Sequence, residues 1–170
     1  MHKPRVGISS CLLGEKVRYD GGHQFNRQIN TYLLSVFDFI SLCPEVGIGM
    51  SIPRPPIQLE QLGGEIHARG VNNKKLDVTA KLTAFSLQQS TLLQSLDGFI
   101  FKSRSPSCGT REVKLYSDGK ISTTGTGIFA RAIMQQYPDL PIVNEDDLTD
   151  AHACNTFIQR VATFQQARVV

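Results

Sequence analysis

The sequence has no closely spaced cysteine pair, no long apolar run and no block of like charge. Each absence excludes something. Structural zinc usually draws on C-x2-C pairs, and Cys11, Cys43, Cys108 and Cys154 are all far apart in the chain. Four cysteines in 170 residues is also well below the density of a disulfide scaffold. No apolar stretch approaches the roughly 18 residues needed to cross a bilayer, so no membrane partner is expected. The start, His2-Lys3-Pro4-Arg5, passes straight into a strand-like run without a secretory pattern. The expectation is a cytoplasmic protein, where cysteines more often serve metals or catalysis than disulfides. A net charge of +3 and a pI near 8.7, without clustered Lys/Arg, fall short of a dedicated nucleic-acid binder.

Hydrophobic residues make up 41% of the chain, enough for a core, and the length suits one domain over residues 1–170. Apolar runs at 6–10, 36–42, 98–102 and 140–143 read as strands. Helices are expected from Asn26 to about Leu34, over 78–96 behind Asp77, after Gly125-Thr126-Gly127, and from Thr149 or Asp150 onwards. Ser51 to Ile57, with Pro53, Pro55 and Pro56, is held extended. Residues 63–75 read as an excursion with a hairpin, and 113–122 as a second hairpin with a glycine turn. This order predicts an α/β fold: single-domain, Rossmann-like, with a mainly parallel sheet and helices on both faces.

Three apolar runs end in small polar residues and a cysteine: Val6 to Cys11, Phe39 to Cys43, and Gly98 to Cys108. Ligands of such sheets bind beyond the carboxyl ends of the strands, so these three ends are expected to meet. Cys154 lies in an apolar helical stripe and reads as core. Zinc remains open for the other three, with His23 or His67 as fourth ligand. A lone catalytic thiol would leave two cysteines without a role. Three thiolates without a fourth protein ligand also suit a [4Fe–4S] cluster with one open iron. Spacing does not separate cluster from zinc.

The phrases ISSCLLGEKVRYDGGH, CPEVGIGMSIPRPPI, KSRSPSCG and GTGIFA occur in that order and span most of the chain. Together they resemble the TudS-type thiouracil desulfidases. The resemblance implies an oxygen-sensitive [4Fe–4S] cluster held by Cys11, Cys43 and Cys108. It also implies removal of sulfur from a thiolated uracil, giving uracil and hydrogen sulfide without net redox change. It assigns catalysis to Glu45 and Ser105. Larger relatives of the family carry a further C-terminal domain and act on thiouridine in RNA, and this chain, which ends soon after its last expected helix, is not expected to carry that domain.

Arg18, Tyr19 and His23 follow the first cysteine and are candidates to bind the pyrimidine or a phosphate. Ser107 and Thr126 are further candidates for substrate contact, and Gly125-Thr126-Gly127 at a helix start is where a phosphate would sit. Arg54, between prolines, is either an anion clamp or a surface charge. The expected partner is a small thiolated pyrimidine, as free base, nucleoside or part of tRNA, with no obligate protein partner. The competing reading is a sensing module with a structural cluster or zinc.

Overall fold

The computed structural model describes residues 2–169. The chain runs β1 (Arg5–Ser9), α1 (Arg27–Tyr32), β2 (Asp38–Leu42), α2 (Pro44–Gly47), β3 (Ile57–Leu62) and β4 (Glu65–Gly70). It continues through α3 (Thr79–Gln88), α4 (Ser90–Gln94), β5 (Gly98–Phe101), β6 (Val113–Ser117) and β7 (Lys120–Gly125). It closes with α5 (Ile128–Gln136), β8 (Ile142–Asn144) and α6 (Ala151–Val169). Among the described residues no helix is long and apolar enough to cross a membrane.

The parallel sheet has the order β2-β1-β5-β8, with helices on both faces as the sequence predicts. Alternation along the strands feeds two cores. Val6, Ile8 and Ile100 pack with Ile29 and Leu33 of the α1 region and with Phe157 and Val161 of α6. Phe99 and Phe101 point to the other face, against Phe85, Leu93, Phe129 and Ile133. Their rings stack at 4.1 Å. Gly7 makes room for that stack, since a Cβ there would lie 2.5 Å from the Phe99 ring. Truncating one such buried ring to Ala typically costs about 3–5 kcal/mol.

The two hairpins join into a second sheet, β4-β3-β6-β7, which the sequence reading did not foresee. Their turns are chemically legible. Gly63 and Gly64 have φ of +58° and +84°, and Asp118 and Gly119 of +48° and +74°, the left-handed pairs that tight hairpin turns require. The parallel pairing of β3 with β6 is a long-range contact that no local pattern announces. Leu59, Leu82, Val113, Leu115 and Ile128 form the core between this sheet and α3.

Three expectations are corrected. The helix expected over 78–96 breaks at Gln89, the polar interruption in its apolar stripe, and α4 then packs Leu93 into the core. Asp77 still accepts from the Thr79 N–H at 3.0 Å. The helix begun by Asn26, whose side chain caps the Ile29 N–H, ends at Tyr32, so Leu34 is 50% exposed rather than buried. Strand β2 starts at Asp38 rather than at residue 36, and as an edge strand it leaves Asp38 and Ser41 exposed while Phe39 packs on one core and Ile40 and Leu42 on the other, each only partly buried.

Candidate active site

All strands of the first sheet are parallel, so their carboxyl ends share one edge. The order β2-β1-β5-β8 therefore sets four segments side by side: Cys43-Pro44-Glu45, Ser10-Cys11, Lys102 to Cys108, and Glu145. Cys11 sits in a single 3₁₀ turn, Ser10–Leu13, closed by Gly14 in the left-handed conformation. Cys43 is the N-cap of α2, and Pro44 occupies the first helical turn, where its missing N–H costs nothing. Cys108 lies in the loop between β5 and β6. One cavity of about 510 Å³ is lined by Cys11, Cys43 and Cys108 together with Glu45, Arg54, Arg18, Tyr19, Lys102 and Ser105.

Burial pushes the Cys11 thiol up to about 11, against the pull of Arg18 and Lys102. The Cys43 thiol is raised by burial too, against the Val46 N–H. Burial drives the Cys108 thiol well above the usual thiol range, against the pull of the nearby Ser9 hydroxyl. A metal group that takes the sulfur lone pairs of such thiols displaces their protons to solvent. Among the described residues, no three His, Cys, Asp or Glu side chains close on a single metal ion. Neither candidate fourth zinc ligand lines the cavity. The His67 Nδ1 lies 2.8 Å from Asp77, at the second sheet, and the His23 Nδ1 accepts from the Phe25 N–H. Cys154 is fully buried in the α6 core, as expected.

Glu45 is held at both oxygens. Its Oε1 accepts from Arg54 Nε at 2.9 Å and its Oε2 from the Ser107 hydroxyl at 2.8 Å. Ser105 has another arrangement. Its hydroxyl oxygen accepts from the backbone N–H groups of Ser107 and Cys108, closing the turn that presents the thiol. The contact to Glu45 is thus made by Ser107, which is 1% exposed and does not line the cavity. Arg18 and Tyr19 do line it, with the guanidinium 5.7 Å from the ring centroid.

The expected phosphate site at Gly125-Thr126-Gly127 is corrected. The N–H groups of Gly127, Ile128 and Ala130 already donate to the carbonyls of Gly109, Pro106 and Ser107. The start of α5 therefore grips the cysteine loop and leaves no such cradle, and Thr126 does not line the cavity. Gly127 is required by contact: a Cβ would lie 2.5 Å from the Ser107 carbonyl carbon and 2.7 Å from the Cys108 nitrogen.

Glu145 escaped the sequence reading. It accepts from Lys102 Nζ at 2.7 Å, from the Ser103 N–H at 2.6 Å and from the Ser103 hydroxyl at 2.7 Å, so the fourth strand end anchors the start of the Cys108 loop. The signal available was its place two residues beyond the last strand read from the sequence, 140–143.

Residues 6–145 match the 2-thiouracil desulfurase family. The chain belongs to that family. The matched span includes all three cavity cysteines, Glu45, Arg54, Ser107 and Glu145. The chain is also 29% identical over 159 aligned positions to the uncharacterized protein YbbK of Bacillus subtilis (strain 168), covering 84% of this chain and 97% of that one. Among solved structures it resembles a [4Fe–4S]-dependent thiouracil desulfidase, TudS, with a TM-score of 0.69 and 27% identity over 91% of this chain and 99% of that one.

Proposed function

We propose that this desulfurase-family enzyme removes the exocyclic sulfur of a thiolated uracil as hydrogen sulfide, at a [4Fe–4S] cluster held by Cys11, Cys43 and Cys108. The carrying observation is that three parallel strand ends put three thiols and Glu45 on one cavity. A tetrahedral zinc would need its sulfurs within about 3.8 Å of one another, since Zn–S bonds are about 2.3 Å long. Three thiols spread around a larger cavity, without a histidine, fit a cluster with three protein ligands better. The similar solved structure belongs to a [4Fe–4S]-dependent enzyme, which supports the same cofactor here. When bound, such a cluster supplies an iron open to soft sulfur and to Lewis-acid polarisation of the C–S bond.

The reaction is a hydrolysis. A C–O bond forms, the C–S bond breaks, both protons of one water end on sulfide, and no electron is gained or lost. Glu45 is the group on the cavity wall able to take a proton from water and return one to sulfur. Arg54 and Ser107 use one lone pair on each of its oxygens, which leaves another on each for water. The Ser105 oxygen is occupied by backbone N–H groups, so its own hydrogen serves a substrate acceptor. Arg18 and Tyr19 cover the pyrimidine from the outer wall. Lys102 and Arg18 offset the negative charge that three thiolates bring.

The test is anaerobic reconstitution, followed by iron and acid-labile sulfide assays and by sulfide release from 2-thiouracil, 4-thiouracil and thiouridine. About four irons per chain and one uracil per sulfide support the reading. An intact cluster that releases no sulfide from any of them overturns it in favour of a sensing module.

A further inference from the structure

We infer that Arg54 is the positioning residue of this site: it fixes the Glu45 carboxylate. The catalytic part of this inference rests on the function proposed above. In sequence Arg54 is a lone cation between Pro53 and Pro55, open to reading as an anion clamp or a surface charge. The structure buries it, with 4% of its side chain exposed. A buried guanidinium is costly unless its donors are satisfied, and these donors are aimed. Nε donates to Glu45 Oε1 at 2.9 Å and Nη1 to the Ser51 carbonyl at 3.3 Å. The backbone N–H donates to the Tyr19 carbonyl at 2.8 Å. Glu45 in turn accepts from Ser107 at 2.8 Å.

The line Tyr19, Arg54, Glu45, Ser107 therefore touches the segment after Cys11, the residue two beyond Cys43 and the residue before Cys108. The flanking prolines restrict the Arg54 backbone, so the guanidinium enters the cavity wall from a stiff base. Without it, Glu45 keeps one partner in place of two and can turn about its side-chain torsions. A general base displaced by about 1 Å can lose about 100-fold in rate.

The experiment has two arms. In reconstituted enzyme, Arg54→Lys is expected to lower kcat about 100-fold with KM changed less than about threefold, at unchanged iron content. Arg54→Ala falls further, and added guanidinium ion restores part of its kcat but none of that of Glu45→Ala. In the Glu45→Ala background, Arg54→Lys has no further effect. A rise in KM at constant kcat, loss of iron in proportion to activity, or an undiminished effect in that background overturns the inference. The second arm needs no turnover. In cluster-free wild-type protein the Arg54 Nε–H gives a protected NMR resonance that shifts and loses protection in Glu45→Ala. An unprotected wild-type resonance, or one indifferent to Glu45→Ala, overturns the pairing. If wild-type enzyme with an intact cluster releases no sulfide, the proposed function fails, and this resonance alone decides for or against Arg54.

Discussion

The cavity has two unlike walls. The inner wall, residues 103–110, is bound down on every side. Ser103, Ser107 and Cys108 are buried, and the carbonyls of Ser105, Pro106, Ser107 and Gly109 all accept backbone N–H groups. Glu145 holds its start and Glu45 its middle. The outer wall, residues 14–24, is tied by a few turn bonds, by the Gln24 N–H on the Cys11 carbonyl and by the Arg54 N–H on the Tyr19 carbonyl, with Tyr19 41% exposed. The difference divides the work. Groups that must be held to a fraction of an ångström lie where the loop is densely hydrogen-bonded. Groups that meet the variable part of a ligand lie where local opening is cheap.

The strongest attempt to break this division is Cys108→Ser. A hydroxyl is a poor ligand for iron, and the inner wall has no second thiol to replace it. We expect cluster absorbance and sulfide release to vanish together; retention of both removes Cys108 from the ligand set. Next in size is Glu45→Ala. Iron content should hold while kcat drops by about 10²–10⁴-fold, the usual contribution of a placed acid–base group. Wild-type turnover in that variant refutes the role given to Glu45.

Glycine substitutions sharpen the contrast directly. Gly127→Ala sets a Cβ against the Ser107 and Cys108 backbone at 2.5–2.7 Å, and backbone atoms there have nowhere to go. Overpacking of this kind costs about 1–3 kcal/mol or more, and in a chain of this size each kcal/mol lowers Tm by about 2–4 °C. Gly21→Ala, in the outer wall, meets nothing within 4 Å, and its φ of +79° is the only penalty, worth about 1–2 kcal/mol. Iron content after reconstitution should fall for Gly127→Ala and hold for Gly21→Ala. Equal iron loss in both would mean the two walls are not different in kind.

Alkali tests the burial of the first cavity thiol in cluster-free protein. Cys11 holds its proton to about 11, whereas the unfolded thiol releases it near 9.0. Below the unfolded value both states are protonated and stability is flat. Between the two values the folded state keeps a proton that the unfolded state has lost, so stability falls by about 1.4 kcal/mol per pH unit for that thiol. Urea midpoints measured at about pH 8 and about pH 10 should differ, and Cys11→Ser should remove part of the difference. A flat profile would mean the thiol is not buried as described.

The parallel sheet was legible because buried strands are continuous apolar runs, and once it is assembled the three cysteine ends meet by topology. What escaped reading were contacts between segments distant in sequence. Glycine-rich starts of helices often cradle anions, but here Gly127 is small because the Ser107 backbone presses on it. A lone arginine between prolines reads either as an anion clamp or as a surface charge, and only the folded chain shows Glu45 beside it. Ser105 and Ser107 are chemically alike in a loop, and which of them faces Glu45 depends on how α5 seats that loop.

The smallest effect, and the most telling for the outer wall, is expected from Tyr19→Ala. The exposed ring and the Arg18 guanidinium beside it contribute about 0.5–1 kcal/mol to each other at most, and surface truncations usually change stability by less than about 0.5 kcal/mol. Tm and iron content should therefore stay at wild-type values. If the ring covers the substrate without touching the reacting atoms, it stabilises ground state and transition state alike. KM then rises about five- to tenfold, equivalent to about 1–1.4 kcal/mol, with kcat preserved. A drop in kcat at constant KM would place Tyr19 among the fixed groups, and the outer wall would have to be counted with the inner one as part of the reacting geometry.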